Sequence, residues 1–169
     1  RPPGFDDLLV GDRHEQDYNT GMPSLARFWE TTPLEKMTPE QWESLCDGCA
    51  QCCLHKLEDE DSGDIFFTRV VCRLLDIAQC KCTAYEQRHI LNPECVELNP
   101  EVVLRLHWLP ETCAYRRLAF GDPLPDWHPL ITGDPGSVHR AGASVRDKVI
   151  SERDVDMDNL EEYIQEEDE

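Results

Sequence analysis

The most constraining part of this chain is Cys46-Asp47-Gly48-Cys49-Ala50-Gln51-Cys52-Cys53, which places four cysteines within eight residues. A turn with the spacing C-x2-C-x2-C can bring its sulfurs to one point, where thiolates repel one another. A metal ion, an iron–sulfur cluster or disulfide bonds can offset that repulsion. The run therefore predicts a metal centre that also stabilises the fold, because the free energy of metal binding becomes free energy of folding.

Disulfide bonds explain these cysteines less well than a metal does. The total of nine is odd, and Cys52 and Cys53 are adjacent, which does not suit a regular disulfide framework. Disulfides belong to oxidising compartments, whereas cysteines in the cytosol are reduced and bind metals or take part in catalysis. We therefore predict a cytoplasmic protein whose cysteines bind metal.

The spacing of the run fits both iron–sulfur and zinc. Zinc usually takes paired C-x2-C units, and Cys46 and Cys49 with remote cysteines would make a closed structural site. The C-x2-C-x2-C run also matches the first three ligands of a bacterial ferredoxin cluster, although the C-P that ends that motif is absent. We favour the iron–sulfur interpretation and keep zinc as the alternative.

Five further cysteines follow the run at unrelated spacings. Side chains of adjacent residues diverge, so we expect only one of Cys52 and Cys53 to join Cys46 and Cys49. Nine cysteines suffice for two four-thiolate centres, or for one cluster with additional structural thiols. The candidate ligands are Cys46, Cys49, Cys52, Cys53, Cys72, Cys80, Cys82, Cys95 and Cys113.

Two other classes of function remain open. The overlapping units Cys46-x-x-Cys49 and Cys49-x-x-Cys52 are typical of thiol oxidoreductases, but a resolving thiol would have several competing partners, and no βαβ pattern surrounds them. A zinc-stabilised protein-interaction module would use the cysteines only as a scaffold. Because no motif for catalysis stands out, the sequence does not decide whether the protein is an enzyme.

The charge of the chain restricts its partners. Lysine and arginine number 16 against 35 aspartate and glutamate residues, a net charge of −19. Such a surface repels phosphate backbones and anionic membranes, so we expect neither nucleic-acid nor membrane binding. No run approaches the roughly 20 apolar residues that span a bilayer. An unidentified protein partner remains open.

The organisation along the chain predicts one folded domain. Residues 1–23 lack apolar periodicity and read as a flexible lead-in, residues 24–150 form a cysteine-rich metal-binding domain, and residues 151–169 form an acidic C-terminal helix or tail. The fold class that we predict is α+β: a small irregular metal-stabilised domain with short helices and a short antiparallel hairpin.

Local signals place the elements of this domain. Thr38, followed by Pro39 and Gln41, predicts a capped helix that leads into Cys46. Residues 54–57 and 65–71 predict two strands that form a hairpin across the acidic segment 58–64, which turns around Gly63. The predicted strands are 54–57, 65–71 and 144–150, and the other predicted helices begin at Ser24, at Glu101 (to Leu109), at Thr112 (to Ala119) and at Asp158.

Longer motifs around the cysteines resemble a known family, the CxxCxxCC zinc- or iron-chelating domain, and within it the uncharacterised YcgN-like branch. The resemblance covers roughly residues 28–155 and implies a cytoplasmic metal-binding protein, with zinc against iron left open. Flagellin lysine methylases share only the cysteine run, so methyl transfer is not implied. The motifs are Trp42-Glu43-Ser44-Leu45-Cys46, Cys80-Lys81-Cys82, Thr112-Cys113-Ala114-Tyr115-Arg116, Trp127-His128-Pro129-Leu130 and Ser144-Val145-Arg146.

Polar residues in these matched regions are candidates for contacts to the cofactor. Tyr85 and Arg88 lie three apart, on one face of any helix that starts at Thr83, and can hydrogen-bond cluster sulfurs or a small anion. Arg116 and Arg117 follow Cys113 closely and can offset thiolate charge. His55, two residues after Cys53, is a weaker candidate for a metal ligand than for a histidine on the surface of a strand.

Overall fold

The computed structural model describes residues 27–165. The predicted lead-in 1–23, the predicted helix start at Ser24 and the end of the acidic tail therefore lie outside the described residues. The described part consists of short helices and short strands joined by turns, which confirms the predicted α+β class.

The helix that leads to the cysteine run forms where local capping predicts it. This helix, Pro39–Ser44, begins after Thr38, whose hydroxyl accepts a hydrogen bond from the Gln41 backbone N–H at 3.2 Å. The Gln41 side chain accepts in return from the Thr38 N–H at 3.0 Å. These two bonds satisfy N–H groups that have no partner inside a helix, and so fix where the helix starts.

Two small sheets make up the strand part. The predicted hairpin is confirmed: β1 (Leu54–Glu58) pairs antiparallel with β2 (Ile65–Val71). Further strands are β3 (Leu75–Asp76) and β4 (Lys81–Cys82), which pair with each other, and β5 (Ile150–Ser151), which lies parallel to β2. The cysteine run therefore leads directly into β1, and Cys72 follows β2.

Short helices make up most of the rest. The α-helices are α1 (Phe28–Thr31), α2 (Pro39–Ser44), α3 (Arg88–Leu91), α4 (Pro100–Val103), α5 (Ala114–Ala119), α6 (Pro129–Thr132) and α7 (Ser137–Arg140). The 3-10 helices are Leu34–Lys36, Gln51–Cys53, Tyr85–Gln87, Glu152–Asp154 and Met157–Tyr163.

Three predicted elements were wrong in extent. The helix expected over Glu101–Leu109 ends at Val103, and the chain then turns so that Leu109 is buried. Residues 144–150 do not form a strand before Ile150, because the Val145 N–H donates to the Cys49 carbonyl at 2.9 Å instead of to a sheet neighbour. At the last helix the N-cap is Asp156, and Asp158 lies inside a 3-10 helix.

Two hydrophobic cores flank the cysteine run. The first core, which is mostly helical, consists of the buried residues Leu45, Val103, Leu109, Ala114, Tyr115 and Leu124. The second core lies against the sheets and consists of Ala50, Leu54, Val71, Leu75, Cys80 and Val145. Leu45 immediately precedes the run and Leu54 immediately follows it, so the run passes from one core to the other.

The C-terminal segment packs on the sheet instead of leaving it. Gln165 donates from its backbone N–H to the Phe67 carbonyl at 2.8 Å and from its side chain to the Thr68 carbonyl at 2.9 Å. Glu152 accepts hydrogen bonds from Arg73 and lies against the His55 ring. Within residues 27–165, no helix is long and apolar enough to cross a membrane.

Candidate metal centre

Short-range contacts shape the turn that carries the first cysteines. Leu45 is fully buried at the end of α2, and its carbonyl accepts a hydrogen bond from His128 Nε2 at 3.0 Å. The next residues turn sharply, with Gly48 at φ +76° and Ala50 at φ +59°. The left-handed conformation is costly for alanine, so the packing of Ala50 in the second core holds it there.

The cysteine run opens onto a cavity of about 440 Å³. We call it the cysteine cavity because seven of the nine cysteines line it. Its other walls come from both cores, including Leu45 and Leu109 of the first and Leu75 of the second. The seven cysteines are Cys46, Cys49, Cys52, Cys53, Cys80, Cys82 and Cys113.

Cys46, Cys49 and Cys52 resist ionisation unless something offsets the charge of the thiolate. Burial, followed by repulsion from Cys52 and Asp47, raises the pKa of Cys46 to about 12. The pKa of Cys49 is also raised, chiefly by burial, and a hydrogen bond with Cys53 is the largest cause of the raised pKa of Cys52. A cation inside the cavity is the natural source of compensation.

Cys46 and Cys52 are exposed to solvent although many protein atoms surround them. Both side chains are exposed to water, yet burial raises the pKa of each, because many protein atoms lie around them. The cysteine cavity explains this combination, since it opens a space beside their sulfurs inside the protein. Cys113, at the N-terminus of α5, faces the same space, and burial raises its pKa too.

Cys72 and Cys95 do not line the cavity. The Cys72 sulfur accepts a hydrogen bond from Asn92 Nδ2 at 3.4 Å. Beside them, His89 Nδ1 donates to the Cys95 carbonyl at 2.9 Å, while the buried Nε2 of His89 has no hydrogen-bond partner among residues 27–165. The structure thus divides the nine predicted ligands into seven around the cavity and two outside it.

The donors surround a space and do not meet at a point. Among residues 27–165, no three side chains of histidine, cysteine, aspartate or glutamate are grouped closely enough to hold one metal ion. The sulfurs of the cavity are thus arranged around its walls. None of the nine cysteines forms a disulfide bond.

The two predicted cofactor contacts, Tyr85 and Arg88, lie at the edge of the cavity. Tyr85 lines it, and its hydroxyl donates to Glu43 Oε2 at 2.6 Å. The Arg88 guanidinium stacks 3.7 Å from the Tyr85 ring centroid and donates to the Tyr85 carbonyl at 2.6 Å. Within the described residues, neither side chain hydrogen-bonds a cysteine sulfur, so their role toward a cofactor stays a prediction.

The other predicted polar residues are engaged elsewhere. Arg116 donates to the Leu109 carbonyl, and Arg117 Nε donates to the Pro123 carbonyl at 2.6 Å. His55 Nε2 contacts the Glu152 carboxylate, which agrees with a histidine on the surface of a strand. Of these contacts, the bond from Arg116 anchors a residue that lines the cavity, Leu109.

Sequence reasoning missed two charged residues beside the sulfurs. Lys56 Nζ lies 4.2 Å from the Trp108 ring centroid and donates to the carbonyls of Leu54 at 2.6 Å and Cys52 at 3.2 Å. Asp47 lines the cavity and is 7% exposed. Its position was the available signal, because it is the one charged residue between Cys46 and Cys53.

Comparison with known proteins adds an independent finding. A family profile described as "CxxCxxCC: Putative zinc- or iron-chelating domain" matches residues 45–114. That range contains the whole cysteine run and every other cysteine of the chain. It supports metal binding by cysteines and does not distinguish zinc from iron. No solved structure shows significant similarity to this chain.

Several curated proteins called UPF0260 protein are similar over most of this chain. One from Cellvibrio japonicus is 58% identical over 137 residues, which are 81% of this chain and 93% of that protein. One from Marinobacter nauticus is 56% identical with the same coverage of both chains. One from Gluconobacter oxydans is 56% identical over 76% of this chain and 78% of its own. Its residues 45–114 match the profile of a zinc- or iron-chelating domain, and the chain belongs to the UPF0260 family.

Proposed function

We propose that this protein holds an iron–sulfur cluster in the cysteine cavity and uses it as a redox centre in the cytoplasm. The observation that carries the proposal is the arrangement of the sulfurs around a space of about 440 Å³. A cluster bound there would accept and release electrons, and its potential would depend on the hydrogen bonds and burial around the sulfurs.

The arrangement suits a cluster better than a single zinc ion. Zn–S bonds of about 2.3 Å put the four sulfurs of a tetrahedral zinc site about 4 Å from one another. No such group of three donors occurs among residues 27–165. In a four-iron cluster each thiolate binds its own iron, so the four sulfurs lie further apart around the inorganic core. Sulfurs that line a cavity without meeting at one point fit that geometry.

The first cysteines of the chain and the last one both line this cavity. Cys46, Cys49 and Cys52 provide the three closely spaced thiols that resemble a ferredoxin run, and Cys113, at the start of α5, lines the same cavity. Repulsion from Cys52 raises the pKa of both Cys46 and Cys113, and Cys113 also raises the pKa of Cys46, which supports placing these sulfurs near one another. We infer that these four are the thiolate ligands.

The test is the metal and sulfide content of protein purified without oxygen. We expect iron and acid-labile sulfide in equal amounts, visible absorbance and reversible reduction. Cys52→Ser should lose most of the iron and of the acid-labile sulfide. The matched variant Cys72→Ser, which alters a cysteine outside the cavity, should retain the iron and the sulfide. Zinc without sulfide would overturn the iron–sulfur proposal and favour a zinc-stabilised interaction module.

A redox centre needs a donor or an acceptor of electrons, so an unidentified protein partner is part of the proposal. Ile90 is 82% exposed and lies in the helix α3 (Arg88–Leu91). This helix begins three residues after Tyr85, which lines the cavity. Binding of a partner at this helix would protect its amides from hydrogen exchange. The reduced cytosol would keep the nine thiols available for metal.

A further inference from the structure

Asp47 has one carboxylate oxygen with a structural role and one without. Its Oδ1 accepts a hydrogen bond from the Cys49 backbone N–H at 2.8 Å and so helps to form the turn. Its Oδ2 is buried and has no hydrogen-bond partner among residues 27–165. The residue is 7% exposed and lines the cysteine cavity.

A buried carboxylate oxygen without a partner is costly, because it has lost water and gained nothing in exchange. No lysine, arginine or histidine forms an ion pair with Asp47 in the described part of the chain, where the ion pairs involve Arg27, His55, Arg73 and Arg140. The anion is therefore uncompensated.

The nearest histidine and thiols do not supply the missing partner. His128 is fully buried, but its Nε2 donates to the Leu45 carbonyl and its Nδ1 accepts from the Leu130 N–H. Cys46 and Cys49 lie one and two residues from Asp47 and line the same cavity, so thiolates there would place further negative charge beside the buried carboxylate. A cation in the cavity would lower the cost for all three groups at once.

We propose that Asp47 Oδ2 is a ligand of the metal centre, which then has mixed sulfur and oxygen coordination. This inference rests on the proposed function, because it assumes a metal in the cysteine cavity. A carboxylate is a harder donor than a thiolate and binds soft metal sites less firmly. The metal atom that Asp47 binds is therefore the position at which a small exogenous ligand can replace a protein donor.

The decisive variant is Asp47→Asn. The amide oxygen can still accept from the Cys49 N–H, so the turn is kept, while an NH₂ group that cannot bind a cation replaces Oδ2. Asp59→Asn is the matched control, because Asp59 Oδ1 also accepts backbone hydrogen bonds in a turn, from Asp61 and Ser62, but in the exposed β1–β2 loop.

Two measurements are made on anaerobically purified protein carrying the metal with which it was isolated. X-ray absorption at the metal edge should show a light-atom ligand beside sulfur in the wild-type protein and in Asp59→Asn. Competition with a chelator should show that Asp47→Asn binds the metal at least about tenfold more weakly than the wild type. Mutation of residues that only orient a metal ligand already lowers metal affinity by about 10–100-fold. Asp59→Asn should match the wild type.

The possible outcomes separate this inference from the function on which it rests. Wild-type protein without metal overturns both. Metal bound by sulfur alone in the wild-type protein, with unchanged affinity in Asp47→Asn, overturns the role of Asp47 and leaves the proposed function standing. If Asp47→Asn fails to fold, the wild-type absorption spectrum decides, because an all-sulfur shell excludes the carboxylate ligand without any variant.

Discussion

The two cores hold their cysteines in different ways. In the first core, Cys46 follows α2 and Cys113 precedes α5, so helix ends fix the positions of their sulfurs. In the second core, Cys80 and Cys82 lie beside or within the two-residue strand β4, in which only two residue pairs form the ladder. The comparison suggests that the helical side is set before metal binds, while the strand side depends on metal for its order.

Removal of metal should therefore destabilise the strand side before the helical side, and this is the largest effect that we expect. Structural metal sites contribute on the order of 10 kcal/mol of binding free energy, which becomes folding free energy. We expect chelation under reducing conditions to expose the amides of β3 and β4 to hydrogen exchange before those of α2 and α5. Equal loss of protection on both sides would contradict the comparison.

A pair of matched truncations tests how each core supports the run. Leu45→Ala and Leu54→Ala each remove a buried leucine directly beside the cysteine run, one from each core. Each should lower the free energy of unfolding by about 2–5 kcal/mol, because each leaves a cavity. Equilibrium unfolding in urea measures this loss, and metal analysis shows whether the site survives.

Leu104→Ala is the control for both truncations. Leu104 is 57% exposed, so its replacement should change stability by no more than about 0.5 kcal/mol. If Leu45→Ala retained metal while Leu54→Ala lost it, the strand side would be the more fragile support. If Leu54→Ala retained metal while Leu45→Ala lost it, the helical side would be the more fragile support, which contradicts our comparison.

His128 makes the stability of the first core dependent on pH. Burial lowers the pKa of this ring below its ordinary value of 6.5. As the pH falls below about 6.5, the unfolded chain binds a proton that the folded protein does not, so the free energy of unfolding decreases. The slope from one such group is at most about 1.4 kcal/mol per pH unit.

His128→Gln should remove this contribution to the slope, at the expense of some stability at neutral pH. The measurement is urea unfolding at a series of pH values between 5 and 8. His107→Gln alters an exposed histidine and serves as the control, whose slope should equal that of the wild type. An unchanged slope in His128→Gln would show that other groups cause the acid sensitivity.

Tyr85→Phe should have the smallest effect. It removes the hydrogen bond to Glu43, a contact at the edge of the cavity between a helix of the first core and the segment after β4. Because Tyr85 is 45% exposed, we expect a loss of no more than about 1 kcal/mol. If the proposed iron–sulfur cluster is present, its reduction potential should not change, since the hydroxyl donates to a carboxylate. A shifted potential would favour the sequence-based hypothesis that Tyr85 contacts a cluster sulfur.

Local signals predicted the parts of the fold that local chemistry determines. The Thr38 capping box and the hairpin of β1 and β2 involve neighbours in sequence, and these elements formed as expected. Residues 144–150 alternate between apolar and polar residues, but the Val145 N–H finds its acceptor at Cys49, far away in sequence. Alternation alone does not show which partner a backbone group will find.

The candidate site was predictable in composition and not in arrangement. Spacing grouped Cys46 and Cys49 with one of Cys52 and Cys53, because their distance along the chain is short. Cys113 faces the same cavity, whereas Cys72 lies outside it. This difference depends on how the two cores pack, and the spacing of cysteines along the chain carries no information about that packing. Asp47 was overlooked because an acidic residue in a loop is ordinary, and only its burial makes it unusual.

The hydrogen bond between Val145 and Cys49 has a practical consequence. Val145 is 4% exposed, and its amide can exchange with deuterium only when the contact to the Cys49 carbonyl opens. That amide is bonded to the backbone of a residue in the cysteine turn and would therefore report occupancy of the site. Its exchange rate would follow loading and loss of the cofactor in the unmodified protein, without a label, a dye or an altered cysteine.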